Sequence, residues 1–198
     1  MMAHDPTQFP ADLPVPQDDG AAVHLTGARL ADIELPATDG SLVSPGTIKG
    51  TVVLYAYPKT GVPGVEMPDG WDEIPGARGC TPQSCSFRDH MAELKLAGAD
   101  HVFGISTQTS DYQKEAVERL HLPFELLSDA DLKFQQAMNL PILQVSSDGQ
   151  NSTLLKRLAL VAIDGDIKKV FYPVFPPDKN AADVLKWLNV KSSNRQFV

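Results

Sequence analysis

The chain has 198 residues, 42% apolar and 21% charged, which suits one soluble domain with a real core and a short extension. Lys and Arg number 17 and Asp and Glu 25, a formal charge of −8 that disfavours nucleic acid and anionic membrane surfaces as partners. No stretch approaches the ~20 apolar residues of a membrane span, and the N-terminus lacks the basic and apolar regions of a secretory signal, so a cytosolic location is expected.

Residues 1–28 are rich in Pro, Asp, Gln and Ala without an apolar period, and read as an extended arm, disordered or packed on the body. Residues 29–198 read as the domain. Asp32-Ile33-Glu34-Leu35, the turn Asp39-Gly40-Ser41 and Leu42-Val43 predict a small β-hairpin. Thr51–Tyr57 is a β-branched and aromatic run stopped by Pro58, as in a strand buried on both faces. Residues 58–79, with four Pro and five Gly, form a long loop of the functional or disordered kind. Phe87, Met91 and Leu94 recur at helical spacing and predict one amphipathic helix over about 81–97, with Pro82 in its first turn.

A strand follows at His101–Ser106, a helix at Asp111–Leu120, a short strand at Phe124–Leu127 and a short helix at Asp131–Met138. Leu155–Ile163 and Ile167–Tyr172 flank Asp164-Gly165-Asp166 as a hairpin, and Ala181–Leu188 closes the chain as a helix. Alternating strands and helices that end in a hairpin predict an α/β three-layer domain with a mixed sheet.

Only two cysteines are present, Cys80 and Cys85, too few for a disulfide-stapled secreted domain. Cys80 stands where the Gly-rich loop meets a helix start. First-turn N–H groups and the helix dipole favour an anion there, and the thiolate is the reactive form of cysteine. Arg78 could add positive charge. Five helical residues rise ~7.5 Å and turn ~140° past a full revolution, whereas a disulfide needs Cα atoms within ~7 Å. The pair therefore bonds only if the first turn unwinds, or never. Buried, inert cysteines are the plain alternative. A zinc site is a weak one, because His90 lacks partner ligands.

Gly79-Cys80-Thr81-Pro82-Gln83-Ser84-Cys85-Ser86-Phe87-Arg88-Asp89 resembles the active helix of the peroxiredoxins, in particular the PrxQ, or bacterioferritin-comigratory-protein, group. Tyr55-Ala56-Tyr57-Pro58-Lys59, Gly104-Ile105-Ser106 and Leu122-Pro123-Phe124 with Leu127-Ser128-Asp129 lie in the expected order, so the resemblance covers roughly 27–190. It implies a thioredoxin-like fold and peroxide reduction, with Cys80 as peroxidatic and Cys85 as resolving cysteine. It also implies that Arg157, just before a core strand, holds the thiolate and the breaking O–O bond. A thioredoxin-like dithiol would recycle the disulfide, no cofactor is needed, and a monomer is expected.

The sequence departs from that pattern at one place. Ala77 and Glu73 stand where the group has an active-site Thr and a Pro, and a gap of about fifteen residues after Lys59 is needed to bring Cys80 into register. Thr60 and Thr81 are the candidate replacements. The inserted loop is expected to border the site through Met67 and Trp71. Rival readings are a thiol–disulfide oxidoreductase, which the four-residue spacer argues against, and a non-catalytic redox switch with a partner-docking loop.

Overall fold

The computed structural model describes residues 13–147 and 150–195. Nine strands and five α-helices occur among them, joined by short 3-10 turns. The hairpin of β1 (Leu35–Pro36) and β2 (Leu42–Val43) pairs antiparallel. The central sheet consists of β3 (Thr51–Ala56), β4 (His101–Ser106), β5 (Leu126–Ser128), β8 (Leu158–Ile163) and β9 (Asp166–Phe171). Its order is β5-β4-β3-β8-β9. β3, β4 and β5 run parallel, while β8 and β9 run antiparallel to their neighbours. This is the expected mixed sheet.

Successive residues of a strand face opposite sides, and both sides of this sheet are apolar. Val52, Leu54 and Ala56 pack with Leu158, Leu160 and Ala162 on one face. Val53, Tyr55 and Tyr57 pack with Ala159 and Val161 on the other. That second face is covered by α1 (Cys80–Asp89), α2 (Met91–Leu96), α3 (Ser110–Leu120) and α5 (Asn180–Arg195) through Phe87, Leu94, Leu120 and Leu188. The first face is covered by the hairpin, by α4 (Lys133–Met138) through Phe134 and Met138, and by Leu25 and Leu30 near the chain's beginning. Three layers result. Gly104 makes the second face close-packed, since a Cβ there would stand 2.7 Å from Tyr55 Cζ.

The structure corrects several boundaries. The single helix expected over 81–97 starts at Cys80 and breaks at His90. There His90 leaves helical geometry, with φ −93° and ψ 6°, while its N–H still bonds Ser86 O at 3.1 Å and its ring Nδ1 lies 2.9 Å from the same oxygen. Phe87, Met91 and Leu94 still share the predicted apolar side. The fifth strand covers Leu126–Ser128 rather than Phe124–Leu127. α4 begins at Lys133, where both Asp129 carboxylate oxygens accept the N–H groups of Phe134 and Gln135.

The strand read over Leu155–Ile163 is two. Leu155 ends β7 (Gln150–Leu155), which pairs with β6 (Ile142–Ser147), and β8 starts at Leu158. Lys156 and Arg157 form the corner between them. That hairpin escaped the reading because Gln144, Ser146, Asn151 and Thr153 give it a polar exterior, although Asp148-Gly149 is a hairpin dipeptide. The closing helix is longer than expected and runs past Leu188 to Arg195.

Of the 1–28 arm, residues 1–12 lie outside the described residues. Between Pro16 and Leu25 the arm touches the body at several points. Leu25 is fully buried, and Asp19 accepts from Lys156 Nζ at 2.6 Å and from Tyr172 Oη at 2.7 Å. The 58–79 segment is also packed. Trp71, in a 3-10 turn, sits with Met67, Ile74 and Ala77 against Val145 and Leu154 of the β6–β7 hairpin. Trp71→Ala is expected to cost about 3 kcal/mol, because a buried indole is replaced by a cavity. Urea unfolding measures it, and a loss below about 1 kcal/mol would show that the cluster carries little of the fold's stability.

Candidate active site

Cys80 opens α1. Gly79 before it has φ 106°, a left-handed conformation that glycine adopts without strain, so the loop turns sharply into the helix. The Cys80 side chain is buried, with its Sγ 3.6 Å from Ala77 O. Arg157 Nη2 donates to that sulfur at 3.2 Å. The same Nη2 donates to Gly76 O, Ala77 O and Arg78 O at 3.2, 3.0 and 3.2 Å. The guanidinium thus clamps the incoming loop and touches the thiol it delivers. The β7–β8 corner places Arg157 there, opposite the start of α1.

Arg157 is only 3% exposed and forms no ion pair with a carboxylate among the described residues. Its other partner is Gln83 Oε1, which accepts from Nη1. Gln83 Nε2 in turn donates to Asn180 Oδ1 at 2.9 Å, at the start of α5. A buried cation needs compensating charge. Among the described groups it touches, Cys80 Sγ is the one acidic by residue type, and it stands at the helix start.

Gln83 and Asn180 were not singled out in the sequence. The signal for Gln83 was available, since it lies three residues after Cys80 on the same side of the helix. Asn180 is placed only by the packing of α5. Tyr55 also supports the site: its ring stacks on Phe87 at 4.4 Å, and its hydroxyl donates to Ser84 Oγ at 3.0 Å. Burial pushes the Tyr55 and Tyr57 phenols well up, so neither is a base near neutral pH.

Cys85 lies on α1, half-buried, and both cysteines are free thiols. Burial pushes the Cys85 thiol up; Arg88 opposes this and Asp89 adds to it. Arg78 forms an ion pair with Asp72, and its backbone carbonyl accepts from Arg157. Of the two candidate threonines, Thr60 donates its hydroxyl to Gln108 Oε1 at 3.1 Å. Thr81 is buried in the first turn of α1. At the position of the family's threonine, the Ala77 carbonyl accepts from Arg157 and faces Sγ. Among the described residues no three His, Cys, Asp or Glu side chains converge as a metal site would require.

The Redoxin family model matches residues 25–185. Peroxiredoxin Q of rice (Oryza sativa subsp. japonica), described as chloroplastic, is 32% identical over 164 residues, covering 82% of this chain and 65% of that protein. This chain thus spans just under two thirds of the rice relative's length. Peroxiredoxin Bcp of Escherichia coli is 34% identical over 156 residues, covering 78% of this chain and 88% of its own. Among solved structures, peroxidoxin BcpB of Mycobacterium tuberculosis superposes with a TM-score of 0.64 at 27% identity, covering 83% of this chain and 96% of that one. With the sheet order, the helix-start cysteine and the clamped arginine in place, the chain belongs to the redoxin family, within the peroxiredoxin Q/Bcp group.

Proposed function

We propose that the protein is a thiol peroxidase with Cys80 as peroxidatic cysteine, Arg157 as its charge partner and Cys85 as resolving cysteine. The observation that carries this reading is the buried Arg157, without a carboxylate partner among the described residues and in contact with Cys80 Sγ. The Cys80 thiolate attacks the terminal oxygen of a hydroperoxide. The S–O bond forms as the O–O bond breaks, and the leaving alkoxide or hydroxide takes a proton to leave as alcohol or water. The Arg157 guanidinium, already in place, stabilises the charge shared by sulfur and oxygens. Cys80 is now a sulfenic acid.

The Cys85 thiolate then attacks the sulfenic sulfur and displaces hydroxide, which is released as water. Because α1 is continuous from Cys80 through Cys85, its first turns must open for this bond to form. An external dithiol of the thioredoxin type reduces the disulfide by exchange and is itself oxidised. The reading includes a monomer working in a reducing, cytosolic compartment.

The test is NADPH consumption coupled through thioredoxin reductase and thioredoxin on addition of peroxide. Continuous turnover is expected. A single stoichiometric oxidation without turnover would identify a redox switch instead.

The resolving step should depend on pH. Burial favours the neutral Cys85 thiol, so at neutral pH little thiolate is present, and more forms as pH rises. The rate of disulfide formation after one peroxide pulse is expected to climb from about pH 7 and to go on climbing past the ordinary thiol value of about 8.5. Stopped-flow fluorescence with mass analysis reads it. Hydrogen exchange should show loss of protection from Thr81 to Arg88 in the disulfide form only. Equal protection in both forms, with the Cys80–Cys85 bond confirmed, would sink the unwinding step.

A further inference from the structure

The arm and the inserted loop meet beside Arg157. Pro16 and Gln17 of the arm close one side of a cavity of ≈ 230 Å³ whose other walls include Ile74, Leu143 and Val174. Arg157 forms part of its lining, and so does the Gly76 backbone. Pro16 also touches that loop, its Cβ and Cγ each 3.5 Å from where a Gly76 Cβ would stand. The arm is fastened by Asp19, which bonds Lys156 and Tyr172; both of these line the same cavity. The walls are apolar at Pro16, Ile74, Leu143 and Val174 and polar at Gln17, Lys156 and Tyr172, and the buried Arg157 among them also contacts Cys80.

One nitrogen of Arg157 lacks an acceptor: its Nε–H is buried and has no hydrogen-bond partner among the described residues, while Nη1 meets Gln83 and Nη2 meets the loop carbonyls and Cys80 Sγ. A buried donor left unsatisfied is unfavourable, and an occupant with an oxygen acceptor would relieve it. A dry cavity of ~150 Å³ lined by apolar side chains holds benzene, so this larger one has room for a phenyl or branched alkyl group.

We propose that Pro16 and Gln17 are specificity-determining residues: with Ile74, Leu143 and Val174 they form a subsite for the organic group of an alkyl or aryl hydroperoxide, whose oxygens lie against Arg157. This inference rests on the peroxidase reading and assigns the arm and the inserted loop a part in substrate choice. Hydrogen peroxide has no organic group and makes no use of the subsite.

The experiment compares kcat/KM for cumene hydroperoxide and for hydrogen peroxide in the full chain, in Asp19→Ala, which unfastens the arm, and in Leu143→Trp, which fills the cavity. The ratio of cumene hydroperoxide to hydrogen peroxide is expected to fall about tenfold in each variant. A change of less than threefold in both overturns the proposal. If a variant fails to fold, the unaltered chain decides. Titration with 2-phenyl-2-propanol, the alcohol product, should shift the backbone amide signals of Gln17, Gly76 and Val174, and their staying unmoved at millimolar alcohol overturns the subsite. The two readings fail separately. If hydrogen peroxide does not oxidise Cys80 in the unaltered chain, the peroxidase reading falls. If it does, and the ratio and the amides do not respond, only the subsite falls.

Discussion

Cys80→Ser is expected to remove peroxide turnover in the thioredoxin-coupled assay, by at least about a thousandfold. A serine hydroxyl stays protonated at neutral pH, and nothing in the site deprotonates it. Tyr55 and Tyr57 are neutral phenols held high by burial, and no carboxylate pairs with Arg157 among the described residues. Without an adjacent base, a hydroxyl in place of a thiolate is a very weak nucleophile, and loss of a nucleophile costs on the order of 10³ or more. The fold should persist, since Ser is close in size to Cys and its oxygen can accept from Arg157 Nη2. Cys85 gives no rescue, because burial holds it neutral and it has no Arg157 beside it. Turnover within a few-fold of the unaltered protein would remove Cys80 from the role proposed for it.

Arg157→Met should slow Cys80 oxidation about a hundredfold, the effect of one preorganised charge at a reacting centre, ~3 kcal/mol. The structure adds a second consequence. Nη2 is the shared donor to Gly76, Ala77 and Arg78 carbonyls, and Nη1 to Gln83. Methionine leaves those acceptors unpaired inside the protein, at about 1–3 kcal/mol for each that stays buried. The variant should thus lose stability as well as rate, and its 74–80 loop should exchange hydrogens faster. Arg157→Lys separates the two effects. It keeps a charge without the planar fork, so part of the rate should return while the loop stays loose. The second-order rate of Cys80 oxidation, followed by mass on protein verified as folded, is the measurement. An unchanged rate in Arg157→Met would place the charge stabilisation elsewhere, with Arg78 the nearest candidate.

Much of the architecture could be read locally. The strand run Thr51–Tyr57, the exact span of His101–Ser106 and the apolar side of Phe87, Met91 and Leu94 follow from periodicity, because buried strands and amphipathic helices carry their burial pattern in the chain itself. The helix-start cysteine was equally legible, since glycine before it and proline two residues after it mark the entry of a helix. What the reading missed was the β6–β7 hairpin, whose polar exterior hides a pairing that its Asp-Gly dipeptide alone announces. The break at His90 was also missed, because no glycine or proline marks it and only the backbone angles of His90 show it.

By itself the sequence determined the fold class and the two cysteines with their five-residue separation, which are properties of residue type and spacing that folding does not alter. Arg157 came in through the resemblance to the peroxiredoxins, since the local pattern placed it inside a strand. Only the tertiary structure decided what surrounds the sulfur. Arg157 lies 77 positions beyond Cys80, and Asn180 a further 23, so nothing local links them. The β7–β8 corner and the packing of α5 against α1 bring them together. The arm and the inserted loop were composition alone until Leu25 was seen in the core and Trp71 against the hairpin. Segments without a period carry no pattern that says where they pack. Their places are set by apolar side chains finding buried surface that other parts of the chain supply.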